Sequence, residues 1–152
     1  MSSAIPRVLV VDDDPDIRTI VGLNLGLAGM QTGEASNGDE ALTMLSTGEW
    51  DACILDLAMP KTDGVTALRE LKAKEMLNDL VVVVLSATSS PARAIEGLKL
   101  GAHAHLTKPF SPAAVATLLQ ELIDLSPEER HRRRIGFLER AGELERLGIE
   151  TV

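Results

Sequence analysis

The apolar run LVVVVL at positions 80–85 places the strongest constraint on how this chain folds. A strand with apolar side chains on both faces needs cover on both sides, which is typical of a central strand in a parallel sheet. Helices supply that cover in proteins whose strands and helices alternate along the chain. The run therefore predicts a parallel sheet with helices packed on each of its faces.

Four further strand patterns and five helical patterns accompany this run. Strands are predicted at 7–11, 30–35, 53–57, 80–85 and 103–107. Helices are predicted from Asp14 and from Asn37 onward, and at 65–76, 91–100 and 113–125. Since a helix follows each strand, the crossovers return every strand in the same direction. The pattern predicts an α/β fold with a doubly wound, five-stranded parallel sheet.

Composition limits the class of protein. The 152 residues fit one domain with an appendage, and 45% hydrophobic with 2% aromatic residues predicts an aliphatic core. No run approaches the roughly 18 apolar residues of a membrane span, and the first residues lack a signal pattern, so we expect a cytoplasmic protein. The net charge of −8 disfavours non-specific nucleic-acid binding, so we expect no direct DNA binding. Cys53, the single cysteine, lies in an apolar run and is predicted to be a core residue.

Polar side chains follow four of the predicted strands at the point where each strand ends. They are Asp12 and Asp13 after the first strand, Asp56 on the third, Ser86 after the fourth and Lys108 after the fifth. In doubly wound folds the functional crevice lies beyond the carboxyl ends of the strands. We therefore expect these five side chains to lie together.

Three carboxylates in one crevice repel one another, and a divalent cation such as Mg²⁺, which prefers oxygen ligands, relieves that repulsion. Lys108 would add a positive charge and Ser86 a hydroxyl donor. This set suits phosphoryl transfer, in which catalysis is mostly positioning and charge neutralisation, with Asp56 as the nucleophile. The alternative at this point is that these residues are unrelated polar caps of loops.

The motifs around these residues resemble the receiver domains of bacterial two-component response regulators, of the chemotaxis-regulator type. The resemblance covers about residues 5–125 and is carried by VLVVDDDPDIR, ILDLAMPKTDG, VVVVLSA and LTKPF. It implies a receiver domain at 1–125 with the flavodoxin-like strand order 2-1-3-4-5. It also implies a phospho-acceptor switch in signal transduction that promotes its own phosphorylation and dephosphorylation, rather than an enzyme.

By the same resemblance, Asp56 accepts a phosphoryl group from a sensor histidine kinase or a phosphotransfer protein. Mg²⁺ would be held by Asp13, Asp56 and the backbone carbonyl of Ala58, with Asp12 assisting through water. The phosphorylated switch would then bind an output partner through the face formed by the fourth helix, the fifth strand and the fifth helix.

The resemblance also assigns the residues around the phosphoryl group. Lys108 would contact the phosphoryl oxygens and precede a cis peptide bond, and Ser86 would occupy the switch position. Ala58 and Thr88 fall where the family tunes the lifetime of the phosphate.

One of the three histidines departs from the family pattern. His105 lies three residues before the lysine, where the family usually has Tyr or Phe. Two interpretations stay open, a switch residue or an exposed histidine of an edge strand without a switching role. His103 and His131 are predicted to be solvated surface residues.

The tail after residue 125 lies beyond the resemblance. Ser126, Pro127 and Glu129 form a capping box with proline at the first helical position, which predicts a sixth helix ending near Leu147. Its apolar stripe comprises Ile135, Leu138, Ala141 and Leu144. We expect residues 126–152 to be a helical extension that covers the output face or joins two copies in a homodimer; the alternative is a solvated helix.

Two other interpretations of the chain stay open. A haloacid-dehalogenase-like phosphatase also uses an Asp nucleophile, Mg²⁺, a hydroxyl and a lysine, but requires further acids after the lysine. Here no acid follows Lys108 until Glu121, and such an enzyme has no use for Asp56. Alternatively, the sequence is the N-terminal part of a longer regulator that carries an output domain.

Overall fold

The computed structural model describes residues 5–59, 64–87 and 91–146. Within them, five parallel strands form one sheet: β1 (Arg7–Val11), β2 (Gln31–Ala35), β3 (Ala52–Asp56), β4 (Val81–Ala87) and β5 (Ala104–Lys108). The same residues form six helices: α1 (Pro15–Leu27), α2 (Gly38–Leu45), α3 (Gly64–Ala73), α4 (Pro91–Lys99), α5 (Pro112–Asp124) and α6 (Pro127–Arg146). The sheet order is β2-β1-β3-β4-β5, which confirms the doubly wound fold and the flavodoxin-like order.

The predicted elements agree with the observed ones to within one or two residues at most of their ends. α3 is the main exception, since it ends at Ala73 instead of Met76. Glu75, just after the helix, has a positive φ of 56°, a left-handed conformation that takes the chain out of the helix. The observed helix is therefore about one turn shorter than its apolar spacing predicts.

The two faces of the sheet carry separate aliphatic cores. The first face packs on α2, α3 and α4 through strand residues that include Leu9, Leu55, Val82 and Val84. The second face packs on α1 and α5 through alternate residues of the same strands, which include Val10, Ile54, Val83 and Leu85. β4 is therefore buried on both faces, as its apolar run predicts. Cys53 is buried in the first core, and burial raises the pKa of its thiol to about 12.

The parallel register brings the ends of the strands to one edge of the sheet. Three strand pairs define this edge: Val11 with Leu55, Asp56 with Leu85, and Ala87 with Lys108. Side chains just after β1 and at the ends of β3, β4 and β5 therefore lie around a single crevice.

The predicted capping box of α6 is present. The backbone N–H of Ser126 donates to Glu129 Oε1 at 3.0 Å, and the N–H of Glu129 donates to Ser126 Oγ at 3.2 Å. α6 then packs beside α4, which confirms the extra C-terminal helix, while its predicted end near Leu147 lies outside the described residues. None of the described helices has the length and apolar content needed to cross a bilayer.

Candidate functional site

Asp12 lies fully buried just after β1. Its own N–H donates to the carbonyl of Ala35 on β2 at 3.2 Å, and its Oδ1 accepts from the N–H of Asp14 at 2.9 Å. Arg18 of α1 donates to the backbone carbonyl of Asp12 at 2.7 Å. Asp13, the next residue, is exposed at the mouth of the crevice. The N-cap of α1 therefore holds one carboxylate oxygen of Asp12, and Arg18 of α1 holds its backbone.

Asp56 ends β3 and is 3% exposed. The N–H of Ala58 donates to its Oδ1 at 3.1 Å. Gly64, the first residue of α3, packs so closely on this strand end that a Cβ there would overlap the Asp56 carbonyl oxygen and lie 2.6 Å from Leu57 Cα. Arg93 of α4 donates to the carbonyl of Leu57 at 2.9 Å. Two helices therefore hold the backbone that presents Asp56.

Lys108 joins the two buried acids. Its Nζ lies 3.0 Å from Asp12 Oδ2 and 3.2 Å from Asp56 Oδ2. Burial, with a contribution from Asp12, raises the pKa of Asp56, although the Ala58 N–H and Lys108 act in the opposite direction. Burial alone would lower the pKa of Lys108, but the two carboxylates raise it above its usual value. The ammonium is therefore held in its charged form.

The three acids meet the requirements of a hard divalent cation. One carboxylate oxygen from each of Asp12, Asp13 and Asp56 lies within 4.8 Å of the others. Asp12 Oδ2 is buried and, among the residues that the structure describes, has no aligned hydrogen-bond donor, although it is ion-paired with Lys108. Three carboxylates and one ammonium leave an excess of about two negative charges. An all-oxygen ligand set with this charge fits a cation such as Mg²⁺.

Ser86 and His105 lie on the same face of the sheet. Val84 of β4 pairs with His105 of β5, and Ser86 is two residues further along β4, so the two side chains project in the same direction. Ser86 is 3% exposed and follows Leu85, the residue that pairs with Asp56. Ser86 therefore borders the crevice on the side of the sheet that also carries His105.

His105 is half-buried beneath α6. Its ring meets the ring of Phe137 edge to face, with centroids 5.2 Å apart and planes at 69°. Burial lowers the pKa of His105 below its usual value. The interpretation of His105 as an exposed histidine of an edge strand is therefore wrong, because the C-terminal helix covers it. Its role as a switch residue stays a prediction.

His103, just before β5, is 8% exposed, so the prediction that it is a solvated surface residue is wrong. Its Nδ1 accepts a hydrogen bond from the N–H of Val82 at 3.0 Å. Burial, followed by the nearby charges of Arg130 and Arg134, lowers its pKa to about 4. His131 is exposed, as predicted.

The structure brings together the predicted residues Asp12, Asp13, Asp56 and Lys108, and it places Ser86 at the neighbouring strand end. The peptide bond between Lys108 and Pro109 is cis, as the resemblance implies. Thr88 lies outside the described residues. The functional roles of the individual site residues stay predictions.

Three supporting residues were missed by sequence reasoning: Arg18, Gly64 and Arg93. Arg18 lies one turn into the helix that directly follows the acidic loop, so its short sequence separation from Asp12 was a local signal for this contact. Gly64 and Arg93 act through contacts between separate elements, for which the sequence offers no local signal.

Comparison of this sequence with known protein families identifies the family to which the chain belongs. Residues 8–120 match the model of the response regulator receiver domain. The chain belongs to the response regulator receiver family. It is therefore a signalling switch of two-component systems, whose receivers work with histidine kinases, and the phosphatase interpretation is set aside.

Curated relatives of this receiver are longer regulators. The transcriptional regulatory protein PrrA of Mycobacterium tuberculosis is 41% identical over 118 residues, which cover 78% of this chain and 50% of PrrA. The DNA-binding dual master transcriptional regulator RpaA of Synechocystis is 34% identical, with 78% of this chain and 49% of RpaA covered. The chain thus spans about half the length of the curated relatives it matches.

Solved structures agree with the fold. The receiver domain of the Francisella response regulator 1452 is 36% identical, with a TM-score of 0.72 over 78% of this chain and 96% of that one. The chemotaxis protein CheY4 of Vibrio cholerae is 31% identical, with a TM-score of 0.71 over 78% of this chain and 98% of that one. The family match ends at residue 120, before α6 begins.

Proposed function

We propose that Asp56 is the phosphoryl acceptor of this receiver and that Mg²⁺, held with Asp12 and Asp13, is its metal. One observation carries the proposal: the buried carboxylate of Asp56 lies 3.2 Å from Lys108 Nζ within the cluster of three acids. β3 also lies between β1, which leads into the other acids, and β4, which carries Ser86. Asp56 therefore lies on the strand between the other acids and Ser86, with Lys108 beside it.

In the reaction, an oxygen of the Asp56 carboxylate attacks the phosphorus of a phosphohistidine. The P–N bond breaks, its electron pair goes to the donor imidazole, and an acyl phosphate forms on Asp56. The carboxylate must be ionised to attack, and burial opposes ionisation, so the charge of Lys108 is needed beside it. When bound, Mg²⁺ supplies further neutralisation of the phosphoryl oxygens. The carbonyl of Ala58 would be a further metal ligand, and the hydroxyl of Ser86 would donate to a phosphoryl oxygen.

The phosphodonor, a histidine kinase or a phosphotransfer protein, docks on α1 in this proposal. Ile20, Leu23 and Leu27 of α1 are 45%, 64% and 88% exposed. Ile20 also lines a groove of about 380 Å³ with Lys108 and Phe110, beside the crevice. An apolar strip that borders the acceptor would position a donor protein without blocking Asp56.

The transcriptional relatives bear on the output. RpaA is named as DNA-binding, and PrrA as a transcriptional regulator, so the prediction of no DNA binding has no support for the longer protein. For the receiver itself, the net charge of −8 still disfavours contact with DNA. We propose that the receiver comprises residues 1–125 and the helical extension residues 126–152. We also propose that the protein is cytoplasmic and binds its output partner through the face formed by α4, β5 and α5.

Intact-mass measurement after incubation with acetyl phosphate and Mg²⁺ tests the acceptor. The wild type gains one phosphoryl group and Asp56→Asn gains none. Asp16→Asn, which changes an exposed acid of α1, is the matched control and keeps full labelling. Equal labelling of Asp56→Asn would overturn the assignment. Omission of Mg²⁺, or the change Asp13→Ala, slows labelling at least tenfold because charge neutralisation is lost.

A further inference from the structure

The start of α6 is seated by a buried arginine. Arg130 is 6% exposed, and its guanidinium donates to the carbonyls of Leu122 at 3.0 Å, Leu125 at 2.7 Å and Asn78 at 3.1 Å. Leu122 and Leu125 lie at the end of α5, where carbonyls are short of helical partners, although the Leu122 carbonyl also accepts from the N–H of Leu125 at 3.3 Å. The arginine therefore fixes the angle at which α6 leaves α5.

The middle of α6 reaches α4 and β5. Arg134 donates to the carbonyl of Leu98, near the end of α4, at 2.8 Å. Phe137 and Leu138 pack on the first core, and the Phe137 ring lies against His105. We call this set of contacts, Arg134 with Leu98 and Phe137 with His105, the α6 interface. α6 thus occupies the surface of α4 and β5 and is not a solvated helix.

The α6 interface is linked to the acceptor through one strand. β5 carries His105 under α6 and Lys108 at the crevice, three residues later. Ser86 of β4 projects from the same face as His105. A change in the partners of Lys108 or Ser86 therefore acts on the strand segment against which Phe137 rests.

The α6 interface buries only part of its apolar side chains. Phe137 and Leu138 are half-buried, so much of their apolar surface stays in water. Gly136 and Gly142 lie within the helix, where glycine lowers helix stability. A helix of 20 residues is marginal alone in water, so α6, whose apolar contacts include Phe137, Leu138 and the buried Ala141, depends on its docking surface. The balance between docked and undocked α6 therefore depends on the β5 surface against which Phe137 rests.

We propose that α6 is a reversible latch on the α4–β5 surface, docked in the unmodified protein and released when Asp56 is phosphorylated. The inference rests on the proposed function of Asp56. By thermodynamic linkage, a protein with a weakened latch must bind the phosphoryl group or its mimic more tightly.

Hydrogen exchange of the full chain, with and without beryllofluoride and Mg²⁺, tests the latch. Beryllofluoride should increase exchange of the α6 amides at least threefold in the wild type. Phe137→Ala and Arg134→Ala should show the increase without the mimic, and should bind it at least threefold more tightly. Glu139→Ala, which changes an exposed residue of the same helix, should behave as the wild type.

The possible results of this experiment distinguish failure of the latch proposal from failure of the proposed role of Asp56. If beryllofluoride binds, as ¹⁹F resonances of the bound mimic report, and α6 exchange stays unchanged, the latch is overturned while the acceptor stands. If both α6 variants bind the mimic with wild-type affinity, the coupling to Asp56 is overturned. If the mimic does not bind to the wild type, the proposed function fails and the latch fails with it.

Discussion

The acid site and the α6 interface are built in different ways. At the acid site, the parallel register brings charged side chains of distant segments together, and Lys108 contacts the carboxylates of Asp12 and Asp56. At the α6 interface, the charged side chain of Arg134 instead contacts the neutral backbone carbonyl of Leu98, and an aromatic pair completes the contact. One region balances buried charges, and the other completes the hydrogen bonding of a helix end.

This difference determines what each region responds to. Removal of a partner from a buried charged group leaves an uncompensated charge, whereas removal of an arginine leaves a neutral carbonyl that water can reach. The acid site should therefore respond to cations and to any backbone shift. The α6 interface should respond to the helix propensity of α6, and the buried His103, near Arg130 and Arg134, should respond to pH.

The largest effect is expected from Gly64→Ala at the acid site. The added Cβ would overlap the backbone of Asp56 and Leu57, which cannot move without displacing β3. We expect a loss of about 3 kcal/mol or more in the free energy of unfolding. Urea denaturation measures it. Gly26→Ala is the control, because a Cβ there meets nothing within 4 Å and should be neutral or stabilising. Equal stability of the two variants would contradict the close approach at Gly64.

Lys108→Ala should change the affinity for Mg²⁺ and the rate of phosphorylation in opposite directions. Loss of the ammonium leaves three carboxylates uncompensated, so the affinity for Mg²⁺ should rise by about tenfold, as expected when a nearby like charge is removed. Labelling by acetyl phosphate should nevertheless slow, since the lysine no longer faces the phosphoryl oxygens. Isothermal titration and intact mass give the two values. Lys99→Ala, an exposed lysine of α4, should change neither. An unchanged Mg²⁺ affinity in Lys108→Ala would show that the lysine does not compete with the cation.

The acid site was largely predictable from the sequence, whereas the α6 interface was not. Each acid and the lysine lies beside its strand in a short motif, and the topology alone brings them together. His103 was predicted to be a solvated surface residue, and no pattern near it indicated its burial. Arg130 and Arg134 lie in a basic run, and nothing in that run marks these two side chains as the ones with inward contacts. Their inward contacts depend on how α6 docks, and no local pattern encodes that.

Acid should weaken the region around His103. Its pKa is about 4 in the folded protein against a usual value of 6.5, so the folded state binds fewer protons between these values. The stabilisation is complete above pH 6.5 and is lost as the pH falls toward 4, with a slope of up to about 1.4 kcal/mol per pH unit. Asp56 contributes with the opposite sign, since its raised pKa favours folding at low pH and that gain is lost as pH rises.

Urea denaturation of His103→Gln at several pH values between about 4 and 7 isolates the histidine, because the Asp56 contribution is common to both proteins. The variant should be less stable at neutral pH and should show a flatter pH dependence than the wild type. His131→Gln changes an exposed histidine of α6 and should keep the wild-type slope. Parallel curves for wild type and His103→Gln would contradict the neutral, buried state of this side chain.

The smallest effect is expected from a glycine-to-alanine substitution in α6, at Gly142. Unlike Gly64→Ala, this substitution should stabilise the protein. A Cβ at Gly142 meets nothing within 4 Å, so Gly142→Ala should stabilise the helix by about 0.5–1 kcal/mol. Hydrogen exchange of the α6 amides should slow by about threefold, and beryllofluoride should bind slightly less tightly because the latch is firmer. Gly26→Ala gives a helix of similarly improved propensity in α1 and should leave α6 exchange unchanged. Faster exchange in Gly142→Ala would contradict the docking of α6 as a continuous helix. It would also show that the stability of the α6 helix is not coupled to its docking.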